Sequence, residues 1–233
     1  MKAPWIMLGS AFTVVVLLAS AFQIVVFGVP WLGESVSESE SDTYTEAIDK
    51  VVIQAESSDF LIRGSGRSDV LVSRELKWHA DRPRSVESVA AGVLTITPID
   101  CEGLGTCEID YTIDVPADTE VEVQVNSGDI ETLGLTLLQT LRSSSGDIEA
   151  RNSSGELDVT SNSGDIKVLA DEPGRISASA SSGDIEILLP QGEYDVTAGA
   201  GSGDVTLDVL RDSEARYRVS ASTNSGDITI EYG

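Results

Sequence analysis

Six aspartates and one glutamate each follow a glycine in one repeated tripeptide. The copies read Ser127-Gly128-Asp129, Ser145-Gly146-Asp147, Ser154-Gly155-Glu156, Ser163-Gly164-Asp165, Ser182-Gly183-Asp184, Ser202-Gly203-Asp204 and Ser225-Gly226-Asp227. Carboxylates at a near-constant step along a folded stack fall into rows, and like charges in a row repel unless a hydrogen bond, a base or a cation lies between them. The first chemistry on offer is therefore calcium binding, with Asp129, Asp147, Glu156, Asp165, Asp184, Asp204 and Asp227 as candidate ligands. Bonds from each Asp to local backbone would satisfy the same carboxylates without metal. A second chemistry is polysaccharide cleavage by two carboxylates at ~5 or ~9 Å. Acids are abundant here, but no pair stands out and His79 is the single histidine. A third belongs to Cys101 and Cys107, the two cysteines of the chain. Zinc would need four ligands, and a catalytic thiol would need a base nearby. In an oxidising compartment two cysteines flanking a short glycine-containing loop pair into a disulfide. No catalytic residue and no cofactor is expected.

What must position the acids is a repeat. Gly128, Gly146, Gly155, Gly164, Gly183, Gly203 and Gly226 are separated by 18, 9, 9, 19, 20 and 23 residues, which are steps of one or two units of about nine or ten. After each corner acid comes Ile130, Ile148, Leu157, Ile166, Ile185, Val205 or Ile228. Two places on stands Val159, Val168, Ile187, Leu207 or Ile230, with Thr132 and Ala150 in that slot in the first two copies. Period-2 alternation puts the apolar set on one face of a strand. Glycine supplies a positive φ at a tight corner, while Ser and Asp bond local backbone there. Identical corners favour an all-β, single-stranded β-solenoid over an antiparallel sandwich. The regular repeats run over 119–233, and residues 48–125 also read as strands, with Ser57-Ser58-Asp59 and Gly64-Ser65-Gly66 as weaker corners. With no linker between the halves, 47–233 reads as one domain. Its Trp78–Arg84 stretch, rich in bases and aromatics, reads as a long exposed turn or a binding loop.

The start of the chain is of another kind. Residues 5–32 carry no charge, with Trp5 and Trp31 near the ends, and this is long enough to span a bilayer as one transmembrane helix. A cleaved signal peptide with Ala19-Ser20-Ala21 as its cleavage site also fits, but the apolar run continues past the usual length. Residues 1–4 are then a short cytoplasmic tip, and 33–46, rich in Ser and Glu, a solvated self-repelling linker. Both readings place the body outside the cytoplasm; with an uncleaved anchor this is a single-pass plasma-membrane protein. The net charge of −24 repels nucleic acid and anionic headgroups and suits cationic partners.

The layout resembles the "putative adhesin" domain family of envelope proteins, also described as toastrack-like. The resemblance rests on the single membrane segment and on Cys101–Cys107 followed by Ile109-Asp110-Tyr111-Thr112-Ile113-Asp114-Val115-Pro116. The repeated Ser-Gly-Asp-Ile corners, Pro190-Gln191-Gly192-Glu193-Tyr194-Asp195-Val196 and the closing Ser225-Gly226-Asp227-Ile228-Thr229-Ile230 complete it. It implies a non-enzymatic extracytoplasmic β-solenoid of unknown function, in some members part of envelope stress systems. Leu133-Gly134-Leu135-Thr136-Leu137-Leu138 departs from the pattern. The expected role is surface binding or envelope structure and sensing. The expected ligand is a wall polymer, glycan or cationic envelope component, with other membrane proteins as partners. A calcium-binding repeat is the alternative, and a polysaccharide-active β-helix a further one.

Overall fold

In a computed structural model that describes residues 35–99, 101 and 107–233, the chain is all β. The transmembrane segment expected over 5–32 and the tip at 1–4 lie outside the described residues. The strands are β1(Val36–Tyr44), β2(Lys50–Ser57), β3(Phe60–Ser65), β4(Val70–Trp78), β5(Arg84–Ala90), β6(Val93–Ile99), β7(Cys107–Pro116), β8(Glu120–Ser127) and β9(Ile130–Leu133). They continue as β10(Gln139–Ser145), β11(Ile148–Ser163), β12(Ile166–Ser182), β13(Ile185–Leu189), β14(Glu193–Ser202), β15(Val205–Asp208), β16(Leu210–Arg211), β17(Tyr217–Ser225) and β18(Ile228–Tyr232).

Each coil is one strand leading into a corner and one trailing out of it, and coils stack through parallel pairing. The leading strands run, in space, β6, β2, β8, β10, then the second halves of β11 and β12, then β17 and β14. The trailing strands run β7, β3, β9, the first halves of β11 and β12, then β13, β18 and β15. Sequence order and stacking order therefore differ at both ends. The coil β2/β3 lies between β6/β7 and β8/β9. The last coil, β17/β18, lies between that of β12/β13 and that of β14/β15.

The core is a set of ladders. Across the trailing sheet Phe60, Ile130, Ile148, Ile166, Ile185 and Ile228 align on one buried row, and Tyr111 extends it by stacking on Phe60 at 4.9 Å. Across the leading sheet Ile96, Ile53, Val123, Leu141, Val159, Ala178 and Ala221 do the same. The branched aliphatics fit a pleated surface buried on one side. Where the alternation places Thr132 in an apolar slot, its hydroxyl donates to Gln139 Oε1 at 2.6 Å, and Gln139 Nε2 donates to Ser153 Oγ at 3.1 Å. All three are buried, so this short interior chain keeps polar groups paired.

The two ends of the stack are finished differently. At one end antiparallel strands cover it: β5 on β6, β4 on β7, and β1 on β4. Residues 36–44, expected within a solvated linker, are thus a strand of the domain. Their acids are matched by Arg74 and Arg82 rather than left to repel, and their backbone completes the edge of β4. Among the described residues the other end, β14 and β15, carries no such cover beyond the two-residue β16.

Cys101 and Cys107 are joined in a disulfide. Closing a loop of sequence separation 6 restricts the unfolded chain by only about 2 kcal/mol. Replacing both by serine is expected to lower the unfolding free energy by no more than about 2 kcal/mol in a denaturant titration, with the far-ultraviolet spectrum unchanged. Failure to fold would show that the bridge holds more than its own loop.

Candidate functional site

The corner acids do come together. Asp59, Asp129, Asp147, Asp165, Asp184, Asp227 and Asp204 stand in one row along an edge of the stack, in that order. Each of the first six carboxylates accepts the backbone N–H of the next Asp at 2.8 Å through Oδ1. The row is a hydrogen-bond ladder in which one oxygen per acid is already committed. The weak corner Ser57-Ser58-Asp59 belongs to it, and Asp110 sits beside Asp59 at its capped end, given the register of Tyr111 on Phe60. Burial, then Glu108, push the Asp110 carboxyl up, while Lys77 at 3.5 Å pulls it down. Lys77 is itself raised by Glu108, Asp110 and Glu75. Among the described residues no group of three or more His, Cys, Asp or Glu side chains is placed to hold a metal.

One corner falls elsewhere. Gly155 packs on the opposite edge, where a Cβ would meet the Thr136 carbonyl oxygen at 2.6 Å, and Glu156 pairs with Arg175 at 3.5 Å. The nine-residue steps on either side of Gly155 are half-coils. A corner glycine on each edge reads in sequence like consecutive corners on one.

The broad faces differ in character. Outward positions of the trailing sheet are charged and paired: Lys167 with Glu186 at 2.6 Å, Arg151 with Glu149 at 2.6 Å and with Glu131 at 3.3 Å, Arg63 with Asp114 at 2.8 Å. On the leading sheet Arg142 pairs with Asp158 and Arg218 with Asp195, but in the two outward rows nearest the corner the positions past β10 carry no charge. Thr160, Ser179, Ser222 and Gly199 form one row, and Ser222 Oγ donates to Ser179 Oγ at 3.3 Å. Asn162, Ser181, Asn224 and Gly201 form the next. Neighbouring strands stand ~4.8 Å apart, so hydroxyls and amides repeat on a flat lattice.

At the capped end lies a cluster the sequence reading missed. Arg74, on the inward row of β4 with Val70, Val72 and Leu76, is buried. Its guanidinium forks onto Glu87 of β5 at 2.7 and 2.6 Å and reaches Asp42 of β1 at 2.8 Å. Glu87 also accepts from the Tyr44 and Ser85 hydroxyls. Arg82 bonds Glu38 and Glu40 of β1 and lies over Trp78 at 5.6 Å. A cleft of about 420 Å³ opens on this cluster. Burial lowers the Arg74 pKa, but bonds from Glu87 and Asp42 more than offset that and hold it above its ordinary value. A charged residue on a row otherwise Val, Val and Leu was the legible signal. The Trp78–Arg84 turn, read as exposed or as a binding loop, ties β1 down.

A family model covers residues 43–231 of the chain: toastrack DUF4097. The chain belongs to that family. Among solved structures, a "putative cell adhesion protein" from Clostridium sporogenes superposes with a TM-score of 0.54 at 13% identity, over 86% of this chain and 100% of its own. A "putative adhesin" from Bacteroides fragilis gives 0.49 at 13% over 83% and 97%. A "putative lipid binding protein" from Parabacteroides distasonis gives 0.36 at 12% over 84% and 95%. At such identity the Clostridium protein shows a shared fold and nothing finer, and the other two are looser resemblances. No curated protein is a significant match.

Three phenols of this toastrack domain set its alkaline limit. Burial raises the pKa of Tyr111 to about 12. Burial, then the Glu87 bond, raise that of Tyr44, and burial raises that of Tyr194. A phenol whose folded pKa lies above its unfolded value near 10 stabilises the fold fully below pH ~10, and loses that contribution as pH climbs through the folded value. Unfolding free energy is therefore expected to be insensitive to these phenols up to about pH 9 and to fall steeply above pH ~10, less so in Tyr111→Phe. Phenolate absorbance that titrates with ordinary midpoints while the domain stays folded would refute this.

Proposed function

We propose that this chain is a single-pass membrane protein that displays a non-catalytic solenoid outside the cell and binds a neutral, hydroxyl-rich envelope polymer on its leading face. The observation that carries the reading is the uncharged Ser, Thr, Asn and Gly lattice on a chain of net charge −24. A rigid flat array of donors and acceptors suits a repeating glycan, and hydroxyls in register with it bind through many small contacts at low ordering cost. Support for a binding role also comes from the acids. Those that come together serve as backbone acceptors at the corners or as members of ion pairs. Support for location comes from the uncharged 5–32 segment and from a disulfide, which suits an oxidising compartment. Other proteins in the same membrane are proposed as its partners.

The test is co-sedimentation of residues 35–233 with cell walls isolated from the source organism, with and without calcium. Saturable binding that is lost in Ser179→Glu/Ser222→Glu is expected. Absence of binding, or binding indifferent to those substitutions, would sink the proposal. Loss on chelation alone would transfer it to the corner row.

A further inference from the structure

We infer that the open end of the stack is a self-association surface, on which a second copy of this chain pairs edge to edge about a two-fold axis.

The outermost coil, β14 and β15, lacks what every interior coil has. In the interior, Gly226 N–H donates to the Ser202 carbonyl at 3.0 Å and Ile228 N–H to that of Asp204 at 2.9 Å. The equivalent amides of Gly203 and Val205 have no further coil to reach. Asp204 closes the carboxylate ladder, and among the described residues its own carboxylate accepts no backbone N–H. The core is cut across here. Ile228 is fully buried, while Val205, next on the same ladder, is 40% exposed. Leu210, on β16 at the other edge of the coil, is 63% exposed, and Val196, Ala198, Ala200 and Leu207 are only partly covered.

Folded proteins guard sheet edges with charge, proline, bulges or cover. The opposite end of this molecule uses cover, in β5, β4 and β1, with charges above it. At the open end charge and cover stand only at the start of the leading strand, in Glu193, Asp195 and the two-residue β16; residues 196–203 hold no charged residue and no proline, and alternating Ala and Gly leave that backbone accessible. What such an edge accepts is another strand. At the far end the outermost strand β1 carries Glu38, Glu40 and Asp42, whose charge guards that edge against head-to-tail stacking, and the favoured pairing is open end on open end, which a two-fold axis closes. Taken normal to the sheets, that axis makes β14 antiparallel to its copy. It also exchanges the two edges of the coil, so Asp204 of each copy faces the side of its partner that bears Arg211 and Arg216. Among the described residues Arg211 makes no ion pair, so the free acid and the free base are complementary. The two corner rows lie on opposite sides and do not meet.

The experiment is sedimentation velocity of the full chain in mild detergent over a wide range of concentration, on the native sequence, on Val205→Lys and on Val86→Lys. Val86 is exposed at the capped end and serves as the control for added charge. A discrete monomer–dimer equilibrium is expected, weakened about tenfold or more by Val205→Lys and unchanged by Val86→Lys. Cysteine placed singly at Thr197 or at Gly199, whose would-be Cβ meets no atom within 4 Å, is expected to give a dimer-sized disulfide product from at least one of the two. A monomer at every concentration overturns the proposal. So does a dimer that Val205→Lys leaves intact, which would place the contact elsewhere, and so does open-ended growth, which would mean head-to-tail stacking after all.

Discussion

Replacing Gly183 by alanine is expected to cost the domain roughly 3 kcal/mol or more of stability, a fall in melting temperature of about 6–12 °C for a chain of this size. Gly183 sits at φ +140°, a backbone conformation that side chains disfavour. A Cβ there would stand 2.3 Å from the Gly164 carbonyl oxygen and 2.8 Å from its carbon. Those are backbone atoms of the adjacent coil, locked by the corner ladder, so neither can swing aside. To make room the coils must separate, and Gly164 N–H to Ser182 O at 3.2 Å and Asp184 N–H to Asp165 Oδ1 at 2.8 Å lengthen with them. Gly66, with no atom within 4 Å of its would-be Cβ, is the matched control: Gly66→Ala should change stability by less than about 0.5 kcal/mol. Thermal unfolding of the two variants side by side decides the matter. Equal melting temperatures would mean that the corners are permissive and that the glycines need another explanation.

The second large effect belongs to the cap. Arg74→Met leaves Glu87, 8% exposed at its side chain, without its countercharge, and removing one partner of a buried pair costs about 3–5 kcal/mol. The pair bridges β4 and β5, one from each sheet, so the loss also frees β1 from Arg74. Arg74→Met/Glu87→Leu removes both charges and is expected to recover most of the deficit, since a buried pair itself contributes little net stability over a well-packed apolar substitute. Urea unfolding of the single and double variants measures this. A single variant within about 1 kcal/mol of the native chain would show that water or Tyr44 satisfies Glu87 alone. A double variant as unstable as the single one would assign the role to shape rather than charge.

The ladders were legible because solenoid geometry repeats the same local problem. From Gly128 onward each corner of the row repeats a glycine, an acid whose oxygen can hold the next backbone amide, and a branched aliphatic on the core face, so Gly128-Asp129-Ile130 and its copies spell the fold. Small Ala178 and Ala221 forecast the narrow core for the same reason. Stacking order was not legible: nothing in Tyr217–Tyr232 says that it docks on β12 and β13 rather than on the coil just before it, because every coil offers the same edge. Gly155 misled for a related reason, since a corner is written alike on either side of the coil. The strand at Val36–Tyr44 was hidden by its charge. Glu38, Glu40 and Asp42 read as a repelling tail until Arg74 and Arg82, more than thirty residues away, are brought against them.

The interleaved order of the coils governs how the molecule can be made. A simple solenoid can add coils as the chain emerges, each new one docking on the last. Here, among the described residues, the coil of β14 and β15 neighbours β17 and β18, which follow it in the chain, so it takes its native place only once residues 217–232 have been made. That coil enters as a wedge between two that precede it, and the stack closes when it docks. A chain stopped before Tyr217 would not be a shorter solenoid. It would be a stack with a raw edge at β12 and β13 and a segment beyond that lacks its native neighbour.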